Sequence, residues 1–102
     1  MVGVGKIIKQ AQKMQKKMES VQQELASKEI VVSSGGGAVT IKINGQSEIL
    51  GLTIDKEFFK EEKEIIEATL LSAIKEAVSK AKTLSEEELG KVSAGFSLNG
   101  IL

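Results

Sequence analysis

Lys6, Lys9, Lys13, Lys16 and Lys17 fall within the first eighteen residues, a stretch that holds no acidic side chain. Cationic groups repeated at intervals of three and four residues share one side of a helix. A row of ammonium groups held that way is suited to a polyanion, above all to a phosphate backbone. Lysine is a mobile point charge rather than the bidentate fork that reads guanine, so such contacts position a protein without selecting sequence. The commonest use of a lysine-rich helix face is solvation, and that reading stands beside the phosphate one.

Other chemistries are poorly supplied. The chain has no cysteine and no histidine, which removes disulfides, thiolate nucleophiles, imidazole bases and nitrogen or sulfur metal ligands. Glu61, Glu62 and Glu64 cluster, but with no nucleophile beside them they read as the solvated start of a helix. Gly35-Gly36-Gly37 lacks the following Gly-Lys-Ser/Thr of a phosphate loop and precedes a strand-like run, so it reads as a hairpin loop. Met14 and Met18 read as packing. With only Phe58, Phe59 and Phe96 as aromatics, none among the lysines, stacking on single-stranded nucleic acid is disfavoured. No enzyme activity, cofactor, metal or small-molecule substrate is expected.

Fourteen lysines, with no arginine, balance fourteen acids to a formal net charge of zero. Local counts differ: from Asp55 to Glu67 there are six acids against three lysines. The chain is polarised rather than uncharged. Hydrophobic residues at 41% and charged ones at 27% place it among ordinary globular chains. With 102 residues, one domain is expected over 1–102, small enough that a partner would add to its stability. No stretch is apolar enough for a signal peptide or a membrane span, so a cytoplasmic location without membrane contact is expected.

The elements that must position the lysines follow from apolar spacing. Ile7, Ala11, Met14, Met18, Val21 and Leu25 form a heptad seam, predicting a helix over roughly residues 6–26. With Ile7, Met14 and Val21 at d and Ala11, Met18 and Leu25 at a, four of the lysines take positions c and f, and Lys17 takes g. A narrow seam faces another helix, and pairing between copies is its simplest source; a partner within the chain is the other.

Ile30-Val31-Val32 reads as a strand ending at the glycine triplet, and Val39, Ile41 and Ile43 alternate with Thr40 and Lys42 in a second. Asn44-Gly45 marks a turn, and a loop of residues 44–47 would set Leu50 opposite Ile41. Residues 49–54 make the third strand. Asp55 is placed to cap a short turn around Phe58 and Phe59. A long helix follows over residues 61–82, its stripe of Ile65, Ile66, Leu70, Ala73, Ile74, Ala77, Val78 and Ala81 wide enough to cover a sheet, with acids early and Lys75, Lys80 and Lys82 late, as the helix dipole favours. Ser85-Glu86-Glu87-Glu88 has capping-box form, predicting a separate short last helix. The tail from Gly95 is apolar and broken by glycine. The expected fold is α+β: long helix, three-stranded antiparallel meander, long helix, short helix.

This order and several of its residues resemble the YbaB/EbfC family of nucleoid-associated proteins. The opening Ile8-Lys9-Gln10-Ala11-Gln12-Lys13-Met14-Gln15-Lys16-Lys17-Met18 is similar to the family's glutamine- and methionine-rich basic helix. Similar too are Gly37-Ala38-Val39-Thr40-Ile41-Lys42-Ile43-Asn44-Gly45, the strand end Leu52-Thr53-Ile54-Asp55, the alanine-rich helix from Leu70 to Lys82, and the glycine segment near Gly95. Members often close on a proline-containing glycine segment, and this chain has no proline. The resemblance implies a homodimer with paired sheets and projecting helical arms, and binding to double-stranded DNA in the nucleoid with little sequence preference. It makes Lys6, Lys9, Lys13, Lys16, Lys17, Lys80 and Lys82 candidate DNA contacts, and the seam residues with Val39, Ile41 and Ile43 candidate dimer contacts. The alternative is a module whose heptad helix docks a protein partner, with DNA irrelevant.

Overall fold

In the computed structural model, which describes residues 3–96, the chain folds in the order α1 (Val4–Ser27), β1 (Glu29–Ser34), β2 (Val39–Asn44), β3 (Ile49–Ile54), a 3-10 turn (Lys56–Lys60) and α2 (Lys63–Phe96). The tail from residue 97 lies outside the described residues. The strands pair antiparallel in the order β1-β2-β3. Gly35, Gly36 and Gly37 all have positive φ, at 65°, 67° and 94°, a conformation open to glycine at no steric cost; that is why the triplet turns β1 into β2.

Alternation along the strands sorts their side chains as expected. Val32, Val39, Ile41 and Ile43 point to one face and are buried against Ala73, Ala77 and Ala81 of α2, with Ile30, Phe58 and Leu70 packed around them. Alanine at every fourth position presents a flat stripe, so the helix lies close to the β-branched surface. Part of the expected broad face is used, the alanine stripe with Leu70: Ile65, Ile74 and Val78 are exposed. α2 crosses β1 and β2, leaving Leu50 and Leu52 of β3 half bare.

Three expectations are corrected. Leu52, not Leu50, lies opposite Ile41, because the β2–β3 loop runs one residue longer and the register shifts between Lys42 and Ile43; the apolar face is nevertheless preserved. Asp55 precedes its turn without a side-chain cap; its carbonyl accepts from the Phe58 N–H at 2.9 Å instead. Ser85 starts no separate helix, since α2 is continuous through Phe96. No proline or glycine interrupts residues 82–89, and Leu84, Leu89 and Val92 pack on α1, so tertiary contact carries the helix past a local start signal.

That packing also settles where the seam goes. Val21, Leu25 and Val92 are buried together, with Met14, Met18, Leu84 and Leu89 around them. The C-terminal part of the seam is thus filled by this chain's own α2. α1 leads into the sheet and α2 leads away from it, so the two pack side by side in opposite directions as an arm. The molecule measures 72 × 20 × 15 Å with a radius of gyration of 19.8 Å, against about 13 Å for a compact domain of similar length.

Candidate nucleic-acid interface

α1 is a helix of 24 residues, about 36 Å long. Lys6, Lys9, Lys13, Lys16 and Lys17 are all exposed on it. Lys6, Lys9, Lys13 and Lys16, at c and f, lie away from the seam that packs on α2, and Lys17, at g, flanks it. Among the described residues none of the five forms an ion pair; the salt bridges all involve other lysines. From Lys6 to Lys17 the ridge rises about 16 Å, which matches roughly five phosphates along one strand at about 3.4 Å each.

Lys80 and Lys82 stand differently. Each is exposed but paired one turn away, Lys80 with Glu76 at 3.5 Å and Lys82 with Glu86 at 3.9 Å. Both lie on α2, apart from the α1 ridge. The structure therefore brings five candidates together and leaves two outside the group.

The candidate dimer contacts divide as well. Val39, Ile41 and Ile43 are buried under α2 and Val21 and Leu25 under its second half, covered within the protomer rather than between copies. Met14 and Met18 are half-buried in the same seam. Ile7 and Ala11 are exposed, beside Val4 at 71% and Ile8 at 49% exposure, so the tip of the arm is apolar and bare.

Sequence reasoning missed what anchors α1. The helix ends at Ser27 with no basic residue in its last turn, and its terminal carbonyls take donors from the β2–β3 loop. The Asn44 side-chain amide donates to the Ala26 carbonyl at 3.1 Å, the Gly45 N–H to the Leu25 carbonyl at 2.8 Å, and the Gln46 side-chain amide to the Gln22 carbonyl at 2.8 Å. Asn44 is 2% exposed, and its amide also donates to Glu48 Oε1 while its oxygen accepts the N–H groups of Gln46 and Glu48. The signal was faint: no glycine or asparagine ends this long helix, and its C-cap Lys28 supplies one local donor, its N–H to the Leu25 carbonyl at 3.2 Å, so further donors had to come from elsewhere. Also missed was the bare flank formed by Leu71, Ile74 and Val78 of α2.

Known proteins are similar to this chain in sequence and in fold. A nucleoid-associated protein of Alkaliphilus metalliredigens is 38% identical over 96 residues, 93% of this chain and 84% of the relative. Another from Clostridium novyi is 38% identical over 101 residues, 98% of this chain and 89% of the relative. The fold is shared with the crystal structure of an uncharacterized Helicobacter pylori protein, at a TM-score of 0.68 and 23% identity over 76% of this chain and 90% of that one. The model of the YbaB/EbfC DNA-binding family matches residues 1–96, the span that holds the arm, the sheet and α2; the chain belongs to that family.

Proposed function

We propose that the protein binds double-stranded DNA with little sequence preference, as a homodimer, through the lysine ridge of α1, and that it thereby alters DNA conformation in the nucleoid of the cytoplasm. The observation that carries this reading is the ridge itself: five exposed ammonium groups with no ion pair among the described residues, four on the face of α1 turned from α2 and Lys17 beside the seam. Their placement opposes local helix energetics. α1 has no acid in its first turn, where the dipole favours one, and bears Lys6 and Lys9 near that positive end. A phosphate backbone would supply the missing anions. The family's name and the names of the relatives point the same way.

The second copy has a surface to cover. Val78 shares an open groove with Gly45, Gln46 and Ser47, which places the flank of α2 bearing Leu71, Ile74 and Val78 on the side of β3. Leu50 and Leu52 of β3 and that flank present exposed apolar side chains that a second copy would cover, and such a face against its own copy about a two-fold axis is an isologous interface. Such a dimer carries two arms and two ridges. Ile74→Glu is expected to yield monomers in sedimentation; a variant that still sediments as a dimer would place the interface elsewhere.

Titrating the protein against duplex DNA at several salt concentrations tests the main reading. If on the order of five to eight phosphates are neutralised, log affinity falls with log salt at a slope of about −0.9 per phosphate. Salt-insensitive binding, or no binding at low salt, would sink it. The bare tip at Val4, Ile7 and Ile8 favours the second reading, docking of a protein partner; a stoichiometric partner that survives nuclease treatment, without DNA retardation, would establish that one instead.

A further inference from the structure

We infer that Asn44, Gly45 and Gln46 are positioning residues for DNA binding: the β2–β3 loop clasps the C-terminal turn of α1 and sets where the lysine ridge points, without touching DNA. This rests on the proposed function.

The clasp is preformed. The Asn44 oxygen holds the N–H groups of Gln46 and Glu48 at 2.9 and 3.0 Å, and both of its amide hydrogens have acceptors, Ala26 O and Glu48 Oε1. The loop thus has its shape from Asn44 and presents three donors to α1. One hydrogen bond would act as a pivot. Three, reaching the carbonyls of Gln22, Leu25 and Ala26, span more than one turn and oppose tilt, slide and roll together.

The approach is also as close as the backbone allows. A Cβ at Gly45 would lie 2.8 Å from the Leu25 carbonyl oxygen and 2.9 Å from its Cβ. Gly45 is not among the residues of positive φ, so what excludes a side chain there is α1 itself rather than the turn. The seam alone would hold α1 less firmly, because it is narrow and its outer part rests on Met14 and Met18, which repack easily. Nearer the tip, Val4, Ile7 and Ile8 are exposed. Lys6 stands about 28 Å along the helix from Leu25. A tilt of about 10° at the clasp would therefore move Lys6 by about 5 Å, more than the roughly 3.4 Å between successive phosphates of a strand.

The test uses Gly45→Ala and Gln46→Ala in the full chain. Because the protein has no cysteine, Gln12→Cys on the arm and Thr53→Cys on the sheet, both exposed, can carry a pair of spin labels in protein diluted with unlabelled chains. Gly45→Ala is expected to shift the label separation and Gln46→Ala to broaden it. Duplex affinity should fall about three- to tenfold, the size of one lost hydrogen bond, while the slope against salt stays as in the parent, since every lysine remains. A merely structural role would lower thermal stability and leave the separation of folded molecules unchanged. Separations unchanged in both variants would overturn the inference, as would a displaced arm that binds with the parent's affinity. Failure of the parent to bind duplex DNA would count against the proposed function alone, and the separations would still decide whether the loop positions the arm. Should Gly45→Ala not fold, Gln46→Ala decides, for Gln46 is exposed and gives up one side-chain donor.

Discussion

α1 and α2 both carry lysines, and they carry them on opposite terms. On α2, Lys63, Lys80, Lys82 and Lys91 each sit beside a glutamate one turn away, and Glu64 occupies the first turn. Charge at those four lysines is local and compensated, and Glu64 suits the positive end of the dipole. On the first half of α1 it is neither compensated nor aligned. Exposed ion pairs stabilise by only about 0–1 kcal/mol, so pairing on α2 adds little to stability; its larger consequence is that each ammonium keeps a carboxylate within a Debye length, about 8–10 Å at ordinary ionic strength. Among the described residues Lys75 is the one lysine of α2 outside these pairs, and it stands alone, whereas the arm groups five lysines without an ion pair. A net charge of zero therefore describes this surface poorly.

The largest expected effect breaks that contrast outright. Lys9→Glu, Lys13→Glu and Lys16→Glu together give α1 the charge balance of an acidic helix, and retardation of duplex DNA should vanish while circular dichroism and the unfolding midpoint stay near the parent's. Retardation unchanged by the triple substitution would remove the arm from the interface.

A second effect separates the two ends of α1. Leu25 is fully buried under α2 and the β2–β3 loop, so Leu25→Ala should lower unfolding stability by about 2–5 kcal/mol. Ile7→Ala, at a position 61% exposed, should fall within about 0.5 kcal/mol of the parent under conditions where the protein is free of ligands. Urea titration of both variants measures the difference. Equal losses would mean that the tip is covered in solution.

Salt dependence sharpens the contrast between helices. Replacing Lys9 and Lys13 by glutamine should flatten the plot of log affinity against log salt by about 0.9 for each phosphate no longer neutralised, whereas Lys80→Gln with Lys82→Gln should change it by much less. Equal changes from the two pairs would return Lys80 and Lys82 to the DNA interface.

Much of this was legible in the residues, and the failures share a cause. Alternation in Val39, Ile41 and Ile43, the glycine triplet and the heptad run of α1 are local periodicities, and each reports the face that an element buries. None reports which element does the covering. The heptad seam suits a second copy as well as it suits its true partner, because Leu84, Leu89 and Val92 sit some sixty to eighty residues on, around a serine–glutamate pattern that has the form of a new helix start. Asn44-Gly45 is legible as a turn, but its second use as the cap of α1 depends on a hydrogen bond across 18 residues of sequence. The wide stripe of α2 is broad enough for a sheet, yet three of its eight residues, Ile65, Ile74 and Val78, are exposed, because the alanines reach the sheet first and hold Ile74 and Val78 off to the side. Free and paired lysines look alike in sequence even when helical spacing is checked for both signs: Glu76 with Lys80 and Lys82 with Glu86 pass that check and pair, whereas Lys16 with Glu19 passes it and forms no ion pair among the described residues, and Lys6 and Lys9 have no acid within a turn.

The smallest effect runs the other way and tests the same premise by addition. If pairing is what withholds Lys80 and Lys82 from phosphate, then Glu76→Gln and Glu86→Gln together remove two negative charges, leave both lysines free, and replace each carboxylate with an amide of nearly the same shape. Both glutamates are exposed, so the fold should tolerate the change. Duplex affinity at low salt should then rise modestly and the salt slope should steepen by less than the substitutions at Lys9 and Lys13 flatten it, because α2 still lacks the continuous ridge that lets α1 follow a strand. A rise as large as the arm's own contribution would show that the ridge is not special and that any freed lysine on this surface serves. No rise at all would show that α2 stays away from the DNA whatever its charge, leaving the direction of the arm, rather than the pairing of its neighbours, as the factor that selects which lysines bind.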